Sequence, residues 1–90
     1  MASMHIVITG KVQGVGFRWF ARVNARRLEL KGWVRNLDDG SVEIAASGSQ
    51  ERLDLFRRQL TQGPDGARVD SIAEVEPVGE DLDSPFTMRR

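Results

Sequence analysis

The stretch Gly10-Lys11-Val12-Gln13-Gly14-Val15-Gly16-Phe17-Arg18 decides the fold, because it joins a strand pattern to a helix pattern. Before it, Met4, Ile6 and Ile8 stand at every second position, which is typical of a strand with one buried face. After it, apolar residues from Phe17 to Leu28 recur at helical spacing, and arginines fall largely on the other side. The stretch is therefore predicted to connect a strand to an amphipathic helix.

The two central glycines of this connection predict a site for an anion. Gly14 and Gly16 tolerate positive φ angles, so neighbouring backbone N–H groups can converge on one point. Converging N–H groups at a helix N-terminus bind anions, and Arg18 adds a forked cation suited to phosphate oxygens. The same residues are compatible with a plain strand-to-helix turn carrying a surface arginine, and spacing alone weighs the two interpretations equally.

Two nucleotide-binding motifs are excluded at this loop. A Walker A loop ends in Gly-Lys-Ser/Thr, whereas Gly16 is followed by Phe17 and Arg18. The dinucleotide fingerprint requires a third glycine where this chain has Trp19, and ninety residues are too few for a doubly wound sheet. We therefore predict that the protein uses no cofactor.

Composition limits the partners that the chain can bind. Its 90 residues are predicted to form one domain, 1–90, and thirteen basic and thirteen acidic side chains give a formal net charge of zero. Balanced charge argues against nucleic acid or an anionic membrane as the partner. The absence of cysteine excludes disulfides, a thiol nucleophile and thiolate metal sites. No apolar run suits a signal peptide or a transmembrane helix, so we expect a cytoplasmic protein.

The rest of the chain alternates between strand and helix patterns. Asp38-Asp39-Gly40-Ser41 is a hairpin signal, because Gly40 can take the positive φ of a tight turn. Ser49 is predicted to cap a second helix, which Gly63 and Pro64 end. The further predicted strands cover residues 33–37, 42–46 and 69–76, with a short terminal strand at 86–88.

This order of elements predicts an α+β fold. Two right-handed β-α-β crossovers around one hairpin form the ferredoxin-like split βαβ sandwich, with elements in the order βαββαβ. We expect two helices on one face of a four- or five-stranded antiparallel sheet. The first and third strands are central in such a sheet, and the second strand pairs with the third.

Few side chains are available for catalysis. The single histidine, His5, lies on the face of the first strand opposite its apolar residues and is predicted to have a surface or structural role. Asp38 and Asp39 are predicted to belong to the hairpin turn, and the acidic side chains between 80 and 83 to a solvated loop. No spacing of histidine or acidic residues matches a metal site. Asn36 ends the second strand, where we expect its amide to lie near the glycine loop and hold a water molecule.

Two long motifs in this order resemble those of the acylphosphatase family. They are Gly10 to Arg18 and Gly32-Trp33-Val34-Arg35-Asn36, with Asp39-Gly40-Ser41-Val42-Glu43 following, and the resemblance covers nearly the whole chain. It implies that Arg18 binds the substrate phosphate and that Asn36 positions the attacking water. Backbone N–H groups complete the implied phosphate site at Gln13, Gly14, Val15, Gly16 and Phe17.

The implied reaction is hydrolysis of a carboxyl–phosphate bond, which releases a carboxylate and inorganic phosphate. This reaction suits a chain with few acid–base residues, because a carboxylate whose conjugate acid has a pKa of about 4 leaves at neutral pH without a general acid. We expect a small-molecule acyl phosphate as substrate, no metal, and a monomer. One departure is Glu29, where the family usually has glycine, and it predicts strain or an altered ending at the first helix.

Two other functions are compatible with this fold. Ferredoxin-like sheets bind RNA through exposed aromatic side chains on central strands, but the first and third strands here carry none on the exposed face. The second alternative is the acylphosphatase-like part of larger maturation enzymes, and we expect a free-standing hydrolase because the chain ends at Arg90. Phosphate release from a synthetic aryl acyl phosphate separates a hydrolase from a binding module.

Overall fold

Five strands and two helices follow one another in the order β-α-β-β-α-β-β. The computed structural model describes all residues from 1 to 90. The elements are β1 (Ala2–Lys11), α1 (Phe17–Arg27), β2 (Lys31–Asn36), β3 (Val42–Gly48), α2 (Gln50–Gln62), β4 (Arg68–Glu74) and β5 (Thr87–Arg89). Each predicted element is therefore present, and the predicted Ser49 cap accepts a hydrogen bond from the backbone N–H of Arg52 at 3.2 Å.

All five strands form one sheet in the order β4-β1-β3-β2-β5. β1 and β3 are central, β2 pairs antiparallel with β3, and β4 pairs antiparallel with β1, which confirms the ferredoxin-like fold. The prediction of a purely antiparallel sheet needs one correction, because β5 runs parallel to β2. The chain between β4 and β5 crosses from one edge of the sheet to the other and reverses direction, so the fifth strand makes the sheet mixed.

One face of the sheet and both helices enclose the core. Ile8 and Ile44 from the central strands are fully buried, together with Phe56 from α2 and Phe86 just before β5. Burying side chains of this size stabilises a fold by about 1.5–3 kcal/mol each. Phe17, the first residue of α1, belongs to the same core. The core therefore holds the N-terminus of α1, and with it the end of the glycine loop, against the sheet.

The C-terminus of α1 has the unusual feature that the sequence predicted. Glu29 has a φ of 56° and is the single non-glycine residue of the chain with a positive φ. The backbone N–H of Leu30 donates to the carbonyl of Ala25 at 2.9 Å, and that of Glu29 to Arg26 at 3.0 Å. These two bonds form a Schellman motif with glutamate in the left-handed position that glycine normally fills. The helix therefore ends with the common Schellman geometry, but the left-handed residue in it is a strained glutamate.

Replacing Glu29 with glycine is expected to raise the free energy of unfolding by about 0.5–1 kcal/mol. A left-handed conformation costs a residue with a side chain roughly 1–2 kcal/mol, and glycine would recover this free energy. The larger entropy of glycine in the unfolded chain offsets about 0.4–1 kcal/mol of that gain. The ion pair between Glu29 and Arg52 is long, 3.8 Å, and exposed, so its loss has little effect. Urea unfolding measures the change. Glu29→Ala is the control, since it removes the carboxylate and keeps the strain; equal stability of both variants would contradict the prediction.

Candidate active site

The glycine loop between β1 and α1 presents unpaired backbone donors. Gly14 and Gly16 both have a φ of 76°, and Gly16 is the N-cap residue of α1, without a side-chain cap. A Cβ atom at either glycine would meet nothing within 4 Å, so glycine is required by the backbone angle and not by lack of space. No backbone N–H group from Gly14 to Gly16 donates to another backbone carbonyl. These donors are free to bind an anion at the positive end of the helix.

The side chain of Gln13 has a structural role that the sequence did not reveal. Its Nε2 donates to the carbonyl of Leu37 at 2.7 Å and to that of Ser41 at 2.9 Å. Both acceptors belong to the hairpin that follows β2. The side chain of Gln13 therefore ties the glycine loop to the end of β2, and only its backbone N–H remains as a donor for a ligand.

Arg18, in the first turn of α1, is partly buried beside this loop. One guanidinium nitrogen, Nη1, donates to the backbone carbonyl of Arg89 in β5 at 3.0 Å. A guanidinium has five N–H donors, so this bond orients the group and leaves four donors for an oxyanion. The sequence did not predict this contact, because Arg18 and Arg89 are far apart along the chain.

Asn36, the last residue of β2, lies against the same loop. Its neighbour two residues earlier, Val34, is fully buried in the core, so both side chains are on the helix-covered face of the sheet. The Oδ1 atom of Asn36 is buried and has no hydrogen-bond partner. An unsatisfied buried acceptor costs about 1–3 kcal/mol.

The loop, Arg18 and Asn36 enclose a cavity of about 200 Å³. The structure thus brings together most of the residues that the sequence singled out. Val15 is the exception, because its side chain packs against the core and does not line the cavity. The lining residues are Val12, Gln13, Gly14, Gly16, Phe17, Arg18, Trp19, Asn36 and Met88.

His5 lies outside this cavity, on the opposite face of the sheet. Its Nε2 is 2.6 Å from Oε2 of Glu43, and its Nδ1 bonds the carbonyl of Glu76. Arg35 bonds the other oxygen of Glu43. His5 therefore has the structural role that the sequence predicted. Asp39 likewise acts in the hairpin turn, where its carboxylate accepts the backbone N–H of Ser41 at 2.9 Å.

The sequence predicted that the acidic loop before β5 is simply solvated, and the structure corrects this prediction. Asp83 accepts hydrogen bonds from the hydroxyl of Thr87 at 2.6 Å and from Nη2 of Arg89 at 3.2 Å. The hydrogen bond from Thr87, helped by the charge of Arg89, lowers the pKa of Asp83. The guanidinium of Arg89 also lies 4.9 Å from the ring centre of Trp33, a cation–π contact. This loop therefore fastens β5, in which the carbonyl of Arg89 orients Arg18. The sequence did not predict the pairing of Asp83 with Arg89, because it depends on the position of β5.

Stability is expected to depend on pH through Glu43. Burial opposes ionisation of this carboxyl, but hydrogen bonds from His5 and Arg35 outweigh it and hold its pKa below the ordinary value. Because the pKa of Glu43 is lower in the folded state, its ionised carboxylate stabilises the fold at a pH above the pKa of glutamate in the unfolded chain, about 4.3. This stabilisation is lost as the pH falls through the pKa of Glu43 in the folded state. Urea unfolding between pH 7 and pH 3 should show this loss. The slope below pH 5 should be smaller in Glu43→Gln; identical slopes would contradict the prediction.

Fold and site together define a class of protein: a small α+β scaffold whose loop, helix N-terminus and arginine suit an anion such as phosphate, with a partly buried amide beside them. No three histidine, aspartate or glutamate side chains are placed to hold a metal ion. The sequence model of the acylphosphatase family matches residues 4–88. The chain belongs to the acylphosphatase family.

Individual relatives and solved structures match this chain over 90% or more of both lengths. An acylphosphatase of Bifidobacterium longum (strain NCC 2705) is 45% identical over 91 residues, covering 100% of this chain and 94% of that relative. The crystal structure of acylphosphatase from Bacillus subtilis is 35% identical, covers 100% of both chains and superposes with a TM-score of 0.86. An acylphosphatase structure from Coxiella burnetii is 40% identical, covers 97% of this chain and 90% of that one, and has a TM-score of 0.87.

These relatives show that the protein is a hydrolase of the carboxyl–phosphate bond in acyl phosphates, with inorganic phosphate as a product. The prediction made from the two sequence motifs is thereby confirmed at the level of the family and its activity. Neither helix of the protein has the length and apolar character needed to cross a membrane.

Proposed function

We propose that Arg18 and the backbone N–H groups of residues 13–17 bind the phosphoryl group of the substrate, and that Asn36 positions the attacking water. The observation that carries this proposal is the position of Asn36 on the wall of the same cavity that is lined by the loop with its free N–H groups and by Arg18. An amide in that position can hydrogen-bond a water molecule and hold it next to the bound phosphorus.

The loop and Arg18 stabilise the charge that develops during the reaction. Backbone N–H groups at the N-terminus of α1 and the guanidinium of Arg18 surround the phosphoryl oxygens with fixed positive charge. Arg18 is already oriented by the carbonyl of Arg89, so little reorganisation is needed when substrate binds. Positioning and charge stabilisation are the main contributions of proteins to phosphoryl transfer.

The substrate itself makes further catalytic groups unnecessary. The water oxygen forms a bond to phosphorus, the phosphorus–oxygen bond to the acyl group breaks, and the acyl oxygen leaves as a carboxylate with the bonding electrons. Because the conjugate acid of that carboxylate has a pKa of about 4, it needs no proton from the enzyme. In our proposal a phosphate oxygen of the substrate takes the proton from the water. The cavity accordingly lacks histidine and carboxylates.

Hydrolysis is expected to proceed without a metal ion, because the arginine and the backbone donors carry the charge stabilisation. The purified protein should release phosphate from benzoyl phosphate at the same rate in buffer with excess EDTA as in buffer with added magnesium. Colorimetric phosphate measurement over time gives the rate, and spontaneous hydrolysis without enzyme is subtracted. A rate that falls with EDTA and returns with a divalent cation would show that the proposed mechanism is wrong.

We also propose that the enzyme acts as a monomer in the cytoplasm, without nucleic acid or membrane partners. A single copy of the chain already brings the loop, Arg18 and Asn36 together around one cavity, which supports a monomer. The formal net charge of zero and the absence of cysteine support the remaining parts of this proposal. Sedimentation of the active enzyme at assay concentration tests the monomer: a dimer mass would contradict it.

A further inference from the structure

Two large apolar side chains are exposed at the mouth of the active-site cavity. Trp19 is 57% exposed and Met88 is 40% exposed, and both line the cavity beside Arg18. Trp19 follows Arg18 directly in α1, and Met88 precedes the residue whose carbonyl holds the Arg18 guanidinium. Both side chains therefore start from backbone positions that are fixed relative to the phosphate site.

The fold does not account for Trp19. It forms no aromatic pair, and neither cation–π contact of the protein involves it. It is exposed on a helix, where alanine has a higher helix propensity than tryptophan. An exposed indole at this position keeps a large apolar surface in water. A ligand that covers the indole would remove that surface from water.

The size of the cavity indicates which part of the substrate reaches these side chains. Its volume of about 200 Å³ is below the roughly 300–1,000 Å³ of pockets that enclose a drug-sized ligand. In the proposed function the loop and Arg18 provide donors for the phosphate and the amide of Asn36 holds the water, so the reacting groups use the polar lining. The acyl group beyond its carbonyl must therefore lie at the mouth, against Trp19 and Met88.

We propose that Trp19 and Met88 form an acyl-binding subsite that favours acyl phosphates with a bulky apolar acyl group, above all an aromatic one, over small acyl groups. This inference rests on the proposed function of the same site. A flat acyl group packs against the indole, and the flexible thioether of Met88 adapts to its edge. The subsite contributes binding that is equal in the ground state and the transition state, so it acts on KM and not on kcat.

The test compares benzoyl phosphate with acetyl phosphate in wild type, Trp19→Ala and Met88→Ala. The ratio of kcat/KM for the two substrates cancels any general effect of a variant on catalysis. We expect this ratio to fall about tenfold in Trp19→Ala and about threefold in Met88→Ala, through a higher KM for benzoyl phosphate. Leu55→Ala is the matched control, because Leu55 is also exposed, at 39%, but lies on α2 and outside the cavity. Its ratio should equal that of wild type.

Inhibition by inorganic phosphate separates the possible failures. An unchanged inhibition constant with a lower substrate ratio in Trp19→Ala supports the acyl subsite. An unchanged ratio in that variant overturns the inference and leaves the proposed function intact. Weaker phosphate inhibition with equal losses for both substrates also overturns it, because Trp19 would then support Arg18. A wild-type enzyme that hydrolyses neither substrate contradicts the proposed function itself.

Discussion

Arg18→Ala is expected to lower kcat/KM for benzoyl phosphate by about 10³-fold and to abolish inhibition by millimolar inorganic phosphate. Removing one preorganised donor from a site of developing negative charge costs on the order of 10²–10³-fold. Arg18 provides several donors and a permanent charge, so its removal is expected at the upper end. Steady-state kinetics and phosphate inhibition measure the two effects.

Arg18→Lys is expected to recover little of this loss. Lysine keeps the charge, but its ammonium cannot make the forked contact with two phosphate oxygens. Arg22→Ala is the matched control, since Arg22 lies one turn further along the same helix and does not line the cavity. Thermal unfolding must accompany the assay, because Arg18 also bonds the carbonyl of Arg89. Near-normal kinetics of a folded Arg18→Ala enzyme would overturn the proposed phosphate site.

Asn36→Ala is expected to lower kcat by about 10²-fold or more while inorganic phosphate still binds. The amide holds the attacking water, and loss of one such group from an active site typically costs on the order of 10²–10³-fold in kcat. Phosphate binding is spared because its proposed donors belong to the loop and Arg18 and not to Asn36. The inhibition constant of phosphate should stay within about twofold of the wild-type value, well inside the tenfold change that 1.4 kcal/mol would produce.

The kinetic signatures of the two variants distinguish the proposed roles. Arg18→Ala should change both phosphate binding and turnover, whereas Asn36→Ala should change turnover alone. If phosphate affinity falls sharply in Asn36→Ala and kcat is retained, Asn36 binds the anion and does not position water. Asn36→Asp adds a second comparison: a carboxylate keeps the acceptor but repels the phosphate, so we expect weaker phosphate inhibition in this variant.

Much of the fold could be predicted because its signals are local. The alternation in β1, the helical spacing that begins at Phe17 and the turn residues around Gly40 each depend on a few neighbouring residues. The strain at Glu29 was predicted only through the family resemblance, because the family usually has glycine at this position and glycine adopts a left-handed helix ending without strain. The direction of β5 was not, since it depends on the path of a long segment with no local pattern.

The sequence by itself determined the donors of the proposed site. The positive φ angles of Gly14 and Gly16, the start of α1 and the arginine that follows are properties of one continuous stretch, because backbone conformation is set by adjacent residues. The order of helices and strands was determined in the same way, by the period of the apolar residues. Local patterns therefore specified which groups can bind an anion.

Only the tertiary structure decided how those groups are held. The amide of Gln13 fastens the loop to the hairpin, and Asp83 secures Arg89, whose carbonyl orients Arg18. The position of Asn36 on the wall of the loop's cavity was likewise decided only by the placement of β2 beside the loop. These contacts join residues that are distant in the chain, and hydrogen-bond geometry depends on tenths of an ångström in the packing of separate elements. No local pattern carries that information.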